Sequence, residues 1–197
     1  MKFFVNFLSC FRIFASFAII GTLMSGLYTT TLILFILAAL SDFLDGYLAR
    51  KYDVCTKMGV VLDSVADKLL IVNTFILLCL MMPVWFIVIP IIVMVARDLY
   101  ISGLREFLGT QKMSVPHAKT RFSMGKIKTA MQMISIIAFL ALFALGASVG
   151  AASNGKFILY AIYALPNIGI FGLWFALVAS IWSATQYTMD VVHKLKK

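Results

Sequence analysis

The chain has 197 residues, of which 62% are hydrophobic and only 13% are charged, and its mean hydropathy is +1.01. A soluble domain has about 45–50% apolar and about 25% charged residues, so the composition excludes a soluble catalytic domain and indicates a membrane protein. In such a protein the net charge of +9 is first a signal of membrane orientation and not of nucleic-acid binding. The cysteines, Cys10, Cys55 and Cys79, lack the close pairs of a metal or redox motif and are predicted to be free thiols.

Six apolar runs, separated by turn or charge signals, predict six membrane-spanning helices, since a spanning helix needs about 20 apolar residues. The runs are broken at Ser25-Gly26, at Pro83 and in the small-residue stretch 148–154. We therefore predict an all-α integral membrane protein that forms one membrane-embedded catalytic domain over residues 1–197. The predicted spans are 12–28, 31–50, 59–81, 84–107, 125–148 and 157–185.

The N-terminal segment has two interpretations, because Lys2 followed by an apolar stretch to Leu27 also fits a secretory signal peptide. Polar Asn6 and basic Arg12 interrupt the first half of this stretch, and a second apolar run follows it directly. We therefore expect the segment to be retained, as a short lead-in followed by the first span.

The basic residues divide unequally between the two sides of the membrane. With the N-terminus in the cytoplasm, Lys156 lies on the opposite side and Lys68 inside the third span. Because Lys and Arg collect on the cytoplasmic side, we expect both termini to face the cytoplasm. The cytoplasmic set holds 15 of the 17 basic residues: Lys2, Arg12, Arg50, Lys51, Lys57, Arg97, Arg105, Lys112, Lys119, Arg121, Lys126, Lys128, Lys194, Lys196 and Lys197.

Four acidic residues, Asp42, Asp45, Asp63 and Asp67, lie inside the second and third spans. Each would cost about 2.5–3.5 kcal/mol at the centre of a spanning helix unless it meets water or a cation. Spacings of three and four residues put each pair on one helix face, and all four lie about 7.5–15 Å from the cytoplasmic helix ends. One such aspartate could bond a neighbouring helix or pair with Lys68, but four in one band favour a site for Mg²⁺ or Mn²⁺.

The face of the second span that carries Asp42 continues through Gly46, Ala49 and Arg50. Small residues let a bulky group approach the backbone, and an arginine at the end of the face attracts anions. This face therefore predicts a shelf on which an anionic ligand can lie.

Read together, these residues form one motif with fixed spacing. It runs Asp42-x-x-Asp45-Gly46-x-x-Ala49-Arg50, then eight residues, Gly59, three residues, Asp63, three residues and Asp67. The segment is similar, at all eight fixed positions, to the D-x2-D-G-x2-A-R-x8-G-x3-D-x3-D signature of the CDP-alcohol phosphatidyltransferases. The lead-in residues Asn6, Leu8, Ser9 and Arg12 also resemble that family's amphipathic N-terminal segment, although Ser stands where Thr is usual and the flanking prolines are absent.

The resemblance implies a six-helix membrane enzyme, usually a homodimer, that transfers a phosphatidyl group from CDP-diacylglycerol to an alcohol and releases CMP. It implies that the metal ions, two Mg²⁺ or Mn²⁺, are held by the four aspartates and that Asp67 is also the catalytic base. By the same resemblance the CDP-diacylglycerol site contains Asp42, Asp45, Gly46, Ala49, Arg50, Gly59 and Asp63. We expect such an enzyme in the bacterial inner (cytoplasmic) membrane, in contact with membrane lipids and with its active site facing the cytoplasm.

The acceptor alcohol depends on a second group of cations: Arg97 and Arg105 near the end of the fourth span, and Lys126 and Lys128 at the start of the fifth. Such a cluster suits an acceptor that carries a phosphate. The alternative is membrane anchoring, with pairing to Asp98 and Glu106. The stretches 97–107 and 125–133 resemble those of the phosphatidylglycerophosphate synthases, a branch of the same family, which implies glycerol 3-phosphate as the acceptor.

Three competing functions stay open from the sequence. Phosphatidylserine synthases and cardiolipin synthases of the CDP-alcohol type share the aspartate signature. A cation transporter could also bury four aspartates, but it would not need Gly46, Ala49 and Gly59 at these spacings, and the six spans hold no evident inverted repeat.

Overall fold

The computed structural model describes residues 2–52, 57–110, 124–149 and 156–195. These ranges form six α-helices and contain no β-strand, which confirms the predicted all-α fold. The helices are α1 (Lys2–Met24), α2 (Tyr28–Tyr52), α3 (Lys57–Met81), α4 (Trp85–Thr110), α5 (Met124–Val149) and α6 (Lys156–Leu195).

The helices have the length and surface of a membrane protein. Within the described ranges, four segments are long and apolar enough to cross a bilayer, and two shorter apolar segments, Leu8–Met24 and Tyr28–Asp42, lie in α1 and α2. Large apolar side chains face outward, with Phe14 75% and Tyr160 74% exposed. Such a surface is favourable against lipid and not against water. The four longer segments are Val61–Met81, Trp85–Thr110, Ile127–Ala147 and Tyr160–His193.

The first helix ends earlier than predicted because Gly26 stops it. Gly26 has a φ of +74°, a left-handed conformation that glycine adopts without strain. Its N–H donates to the Leu23 carbonyl at 3.1 Å, and the Leu27 N–H donates to the Thr22 carbonyl at 2.9 Å. These two bonds are those of a Schellman cap. The predicted span 12–28 is therefore wrong at its end, which is Met24, and the lead-in is continuous with the span because α1 begins at Lys2.

The last helix is longer than predicted, since α6 continues to Leu195 and not to residue 185. Residues 186–195 are more polar than the preceding span but contain neither glycine nor proline. Polarity alone does not end a helix, because the backbone hydrogen bonds are made whatever the side chain. Pro166 lies inside α6 and Pro90 inside α4.

The described chain forms two compact units. Unit 1 contains Met1–Met82 and Ile136–Gly169, and unit 2 contains Pro83–Ser135 and Ile170–Lys197. The single catalytic domain over 1–197 stays a prediction. The thiols of Cys10 and Cys79 are free, as predicted, and Cys55 lies outside the described residues.

Within unit 1, α1 packs against both α2 and α3. The side chains of Ile19 on α1, Phe35 on α2 and Phe75 on α3 are fully buried. In the same unit α5 and α6 approach closely at Gly169. A Cβ atom added there would lie 2.7 Å from the ring of Phe139. The contacts of α1 hold α2 and α3, the helices that carry the aspartate motif, against it.

Candidate active site

The aspartate motif occupies the C-terminal half of α2 and the N-terminal half of α3. As predicted, Asp42 and Asp45 lie on one helix and Asp63 and Asp67 on the next. The side chains of Asp42, Asp63 and Asp67 are described, and each is partly exposed. Of the other residues predicted to bind CDP-diacylglycerol, Gly59 lies on α3. For Asp45, Gly46, Ala49 and Arg50 only the backbone, which belongs to α2, is described.

Arg12 of α1 joins the two helices of the motif. Its Nη1 donates to Asp42 Oδ1 of α2 at 2.5 Å, and its Nη2 donates to Asp63 Oδ1 of α3. The Arg12 side chain has no exposed surface, whereas those of Asp42 and Asp63 are 34% and 49% exposed. One guanidinium therefore bridges two carboxylates from its buried side, and the carboxylates keep an open side.

The charges in this cluster do not balance, because two carboxylates share one guanidinium. Removing a charge from water costs several kcal/mol per ion unless a partner compensates it. Arg12 compensates part of the charge of Asp42 and Asp63, and one negative charge is left over. The cluster therefore attracts a further cation on its open side.

Asp67 lies one helical turn beyond Asp63 on α3. Residues four apart share a helix face, so Asp67 belongs to the face that carries Asp63. Its carboxylate is half-buried. Asp63 and Asp67 thus share one face of α3, as the sequence predicts.

The oxygen ligands suit a hard divalent cation, for which Mg²⁺ and Mn²⁺ are the candidates. The fit rests on the open carboxylates of Asp42 and Asp63, which Arg12 brings together. Among the described residues, no group of three or more His, Cys, Asp or Glu side chains is close enough to hold a metal ion. The side chain of Asp45, the fourth predicted ligand, lies outside the described residues.

A second charged cluster lies in unit 2, where Asp98 of α4 meets two cations. Arg97 Nη1 donates to Asp98 Oδ1 at 2.9 Å, and Lys128 Nζ of α5 donates to Asp98 Oδ1 and Oδ2 at 2.5 and 2.6 Å. The side chains of Lys128 and Arg97 are only 6% and 15% exposed. In this cluster one carboxylate contacts two cations, whereas in the first cluster one cation contacts two carboxylates.

The other predicted acceptor residues lie apart from Asp98 or outside the description. The Arg105 guanidinium is exposed and lies 5.7 Å from the ring centroid of Tyr187 on α6, a cation–π contact. The side chain of Lys126 lies outside the described residues. The structure thus joins Arg97 and Lys128 through Asp98, the pairing that the sequence offered as the alternative. Within the described ranges no ion pair of Glu106 is found.

The sequence did not predict the pairing of Arg12 or the burial of Gln132. Arg12 was counted among the cytoplasmic cations, yet it pairs with Asp42 and Asp63. The available signal was its position in an apolar run, where an arginine requires an acidic partner. Gln132, one turn after Lys128 on α5, is 1% exposed and bonds Met94 Sδ through Nε2 at 3.4 Å. Among described atoms its Oε1 and the Arg97 Nε have no hydrogen-bond partner.

Comparison with known proteins gives one family. The profile of the family described as CDP-alcohol phosphatidyltransferase matches residues 3–184. This match covers all six helices except the ends of α1 and α6. It also contains both charged clusters.

Individual relatives agree with the profile. A CDP-diacylglycerol–glycerol-3-phosphate 3-phosphatidyltransferase of Rickettsia bellii is 38% identical over 155 residues, which are 79% of this chain and 75% of the relative. A protein with the same activity in its name, from Arabidopsis thaliana, is 40% identical over 121 residues, 57% of this chain and 52% of the relative. A rice protein named cardiolipin synthase (CMP-forming) is 34% identical over 177 residues, 86% of this chain and 50% of the relative. The chain thus spans about half the length of the two plant relatives.

Proposed function

Because the chain belongs to the CDP-alcohol phosphatidyltransferase family, we propose that it transfers the phosphatidyl group of CDP-diacylglycerol to glycerol 3-phosphate. An acceptor hydroxyl oxygen forms a new bond to the phosphorus that carries diacylglycerol. The bond from that phosphorus to the bridging oxygen breaks, and CMP leaves with the electron pair. The hydroxyl proton passes to a base, and the products are phosphatidylglycerophosphate and CMP, as in phospholipid biosynthesis.

The observation that carries this function is the junction of Asp42 and Asp63 at Arg12. It brings together two aspartates that are 21 positions apart in the sequence and belong to the family motif. Their excess negative charge and open oxygens are suited to a divalent cation. The donor carries a negatively charged pyrophosphate. It can therefore lie beside acidic side chains only when a cation neutralises the repulsion.

The metal ligands in this proposal are Asp42, Asp45, Asp63 and Asp67, with two Mg²⁺ or Mn²⁺ ions. Bound there, the ions would neutralise the pyrophosphate of CDP-diacylglycerol and stabilise the leaving CMP. The aspartates orient the donor through this charge.

Asp67 is the proposed base. It is half-buried and lies one turn from Asp63, so it can accept a proton from a hydroxyl aligned with the donor phosphorus. Gly46 and Ala49 would admit the cytidine ribose beside the helix backbone, and Arg50 would meet a donor phosphate.

The acceptor's phosphate is assigned to the cations of unit 2. Arg97 and Lys128 both contact the single carboxylate of Asp98, and we assign the acceptor's phosphate to this pair of cations. Lys126 and Arg105 belong to the same proposed site. A phosphate dianion gains most from such partly desolvated cations.

The relatives support this acceptor, because several are named for glycerol 3-phosphate. A second candidate function, cardiolipin synthesis, is supported by the rice relative, which aligns with 86% of this chain. We further propose that the enzyme works as a homodimer in the bacterial inner membrane, among lipids, with its active site and both termini facing the cytoplasm.

One experiment separates the candidate reactions. Membranes containing the protein are incubated with radiolabelled CDP-diacylglycerol, Mg²⁺ and one of three acceptors: glycerol 3-phosphate, serine or phosphatidylglycerol. We expect labelled phosphatidylglycerophosphate and an equal amount of CMP with glycerol 3-phosphate only. Labelled cardiolipin or phosphatidylserine instead would replace the proposed function with one of its alternatives.

A further inference from the structure

The role of Arg12 is not explained by membrane anchoring. A topogenic arginine places its charge at the membrane surface, whereas the Arg12 side chain has no exposed surface. We propose that Arg12 is a positioning residue, whose guanidinium is the built-in counter-charge that holds Asp42 of α2 and Asp63 of α3 together before a divalent cation binds. This inference rests on the metal-dependent reaction proposed above.

The geometry requires the planar fork of an arginine. Nη1 bonds one carboxylate and Nη2 the other, so the two ends of the fork reach two different helices. The fork fixes the distance between its two partners, whereas a lysine ammonium is a point charge on a flexible stem. Arg12 therefore sets the spacing between Asp42 and Asp63 as well as their charge.

The contacts of Arg12 leave room for a second cation. In the ion pairs with Asp42 and Asp63, Arg12 contacts the Oδ1 atom of each carboxylate. The side chains of Asp42 and Asp63 are still 34% and 49% exposed, so their open side is accessible from solvent. Arg12 holds the carboxylates from within the protein, and a divalent ion would approach from outside.

This arrangement makes Arg12 and the metal partly redundant for stability. Without metal, Arg12 offsets the repulsion between the two carboxylates. With metal bound, the ion supplies much of the same compensation and stabilises the folded state by mass action. Removing Arg12 should therefore make the folded protein depend on the metal much more than the wild type does.

The test compares melting temperatures of the purified full chain in detergent, in EDTA and in saturating Mg²⁺. The variants are Arg12→Met, Arg12→Lys and the control Ile19→Ala, which removes a fully buried side chain two turns further along α1. We expect Arg12→Met to lower the Tm by roughly 10 °C in EDTA and by less than half as much in Mg²⁺. Arg12→Lys should show a smaller difference of the same sign, and Ile19→Ala should lower the Tm equally in both.

The result that overturns the proposal is an equal loss of Tm in EDTA and Mg²⁺ for the Arg12 variants, as for the control. Arg12 would then only support packing. If Arg12→Met does not fold, the proposal is tested by Arg12→Lys alone, through the difference between its loss of Tm in EDTA and its loss of Tm in Mg²⁺. The outcome is independent of the acceptor, because the melting experiment contains no substrate. A failure of the proposed function would appear instead as the wrong product from the wild type.

Discussion

The two charged clusters have opposite compositions. In unit 1 a single arginine, Arg12, serves the two aspartates Asp42 and Asp63. In unit 2 a single aspartate, Asp98, serves the two cations Arg97 and Lys128. Among the described ion pairs, carboxylates therefore outnumber cations in the first cluster and cations outnumber carboxylates in the second.

This difference indicates the sign of the charge that a ligand of each cluster would carry. Unbalanced charge is unfavourable in a membrane-embedded protein, so an excess that is built into the fold indicates a ligand of opposite charge. In the proposed function, the first cluster holds a divalent cation and the second binds the acceptor's phosphate.

The largest effect on the transfer rate is expected when a negative charge is removed from the cluster in unit 1. Asn in place of Asp63 keeps the shape of the side chain but removes one proposed carboxylate ligand and its negative charge, so the metal is held more weakly. We expect Asp63→Asn to lose far more than tenfold in transfer rate, above about 1.4 kcal/mol in barrier, and EDTA to inactivate the wild type equally. Rates are measured in membranes and normalised to inserted protein.

The control for Asp63→Asn is Asp190→Asn, which neutralises an exposed aspartate of α6. This variant should keep its activity. If Asp63→Asn retained more than a tenth of the wild-type rate, Asp63 would not be a metal ligand.

The next largest effect is expected at Asp67 in unit 1, where a substitution distinguishes metal binding from proton transfer. Asp67→Asn removes the proposed base, which acts on the transition state more than on the ground state. We expect turnover to stop while CDP-diacylglycerol binding, measured with radiolabelled donor in the purified protein, stays within about threefold of the wild type. Weak donor binding with residual turnover would make Asp67 chiefly a ligand.

The smallest effect is expected at Arg105, a predicted acceptor residue that lies apart from Asp98. Arg105 is exposed and lies against Tyr187, so a phosphate would meet it partly in water. Arg105→Lys keeps the charge but replaces a bidentate contact by a single one. The KM for glycerol 3-phosphate should rise by roughly tenfold and the KM for CDP-diacylglycerol should not change. Equal changes in the KM values for the two substrates would indicate that Arg105 has only a structural or anchoring role.

The sequence was sufficient for the helices and for the motif, because both depend on local patterns. Apolar runs of the right length predict all six helices, and the spacing of Asp42, Asp45, Asp63 and Asp67 puts each pair on one helix face. The end of α1 was misplaced because it depends on the left-handed conformation of Gly26, and the end of α6 because polar residues continued the helix.

The partners of the buried charges could not be predicted in the same way. Arg12 is 30 positions from Asp42 and 51 from Asp63, and Lys128 is 30 positions from Asp98. Such pairs depend on how the helices pack and rotate, which hydrophobic periodicity does not specify. The sequence shows that intramembrane ions need partners, but only the fold shows that Arg12 faces the aspartates.

The most direct test of opposite ligands at the two clusters is the kinetics of Lys128→Gln, with each substrate varied in turn. Gln can still donate a hydrogen bond to Asp98, but it carries no positive charge. Since a charge-assisted hydrogen bond contributes about 1.5–3 kcal/mol, the KM for glycerol 3-phosphate should rise by roughly one to two orders of magnitude. The KM for CDP-diacylglycerol and the Mg²⁺ dependence should stay unchanged. An unchanged acceptor KM, or an equal rise for donor and acceptor, would contradict the assignment of the phosphate to unit 2.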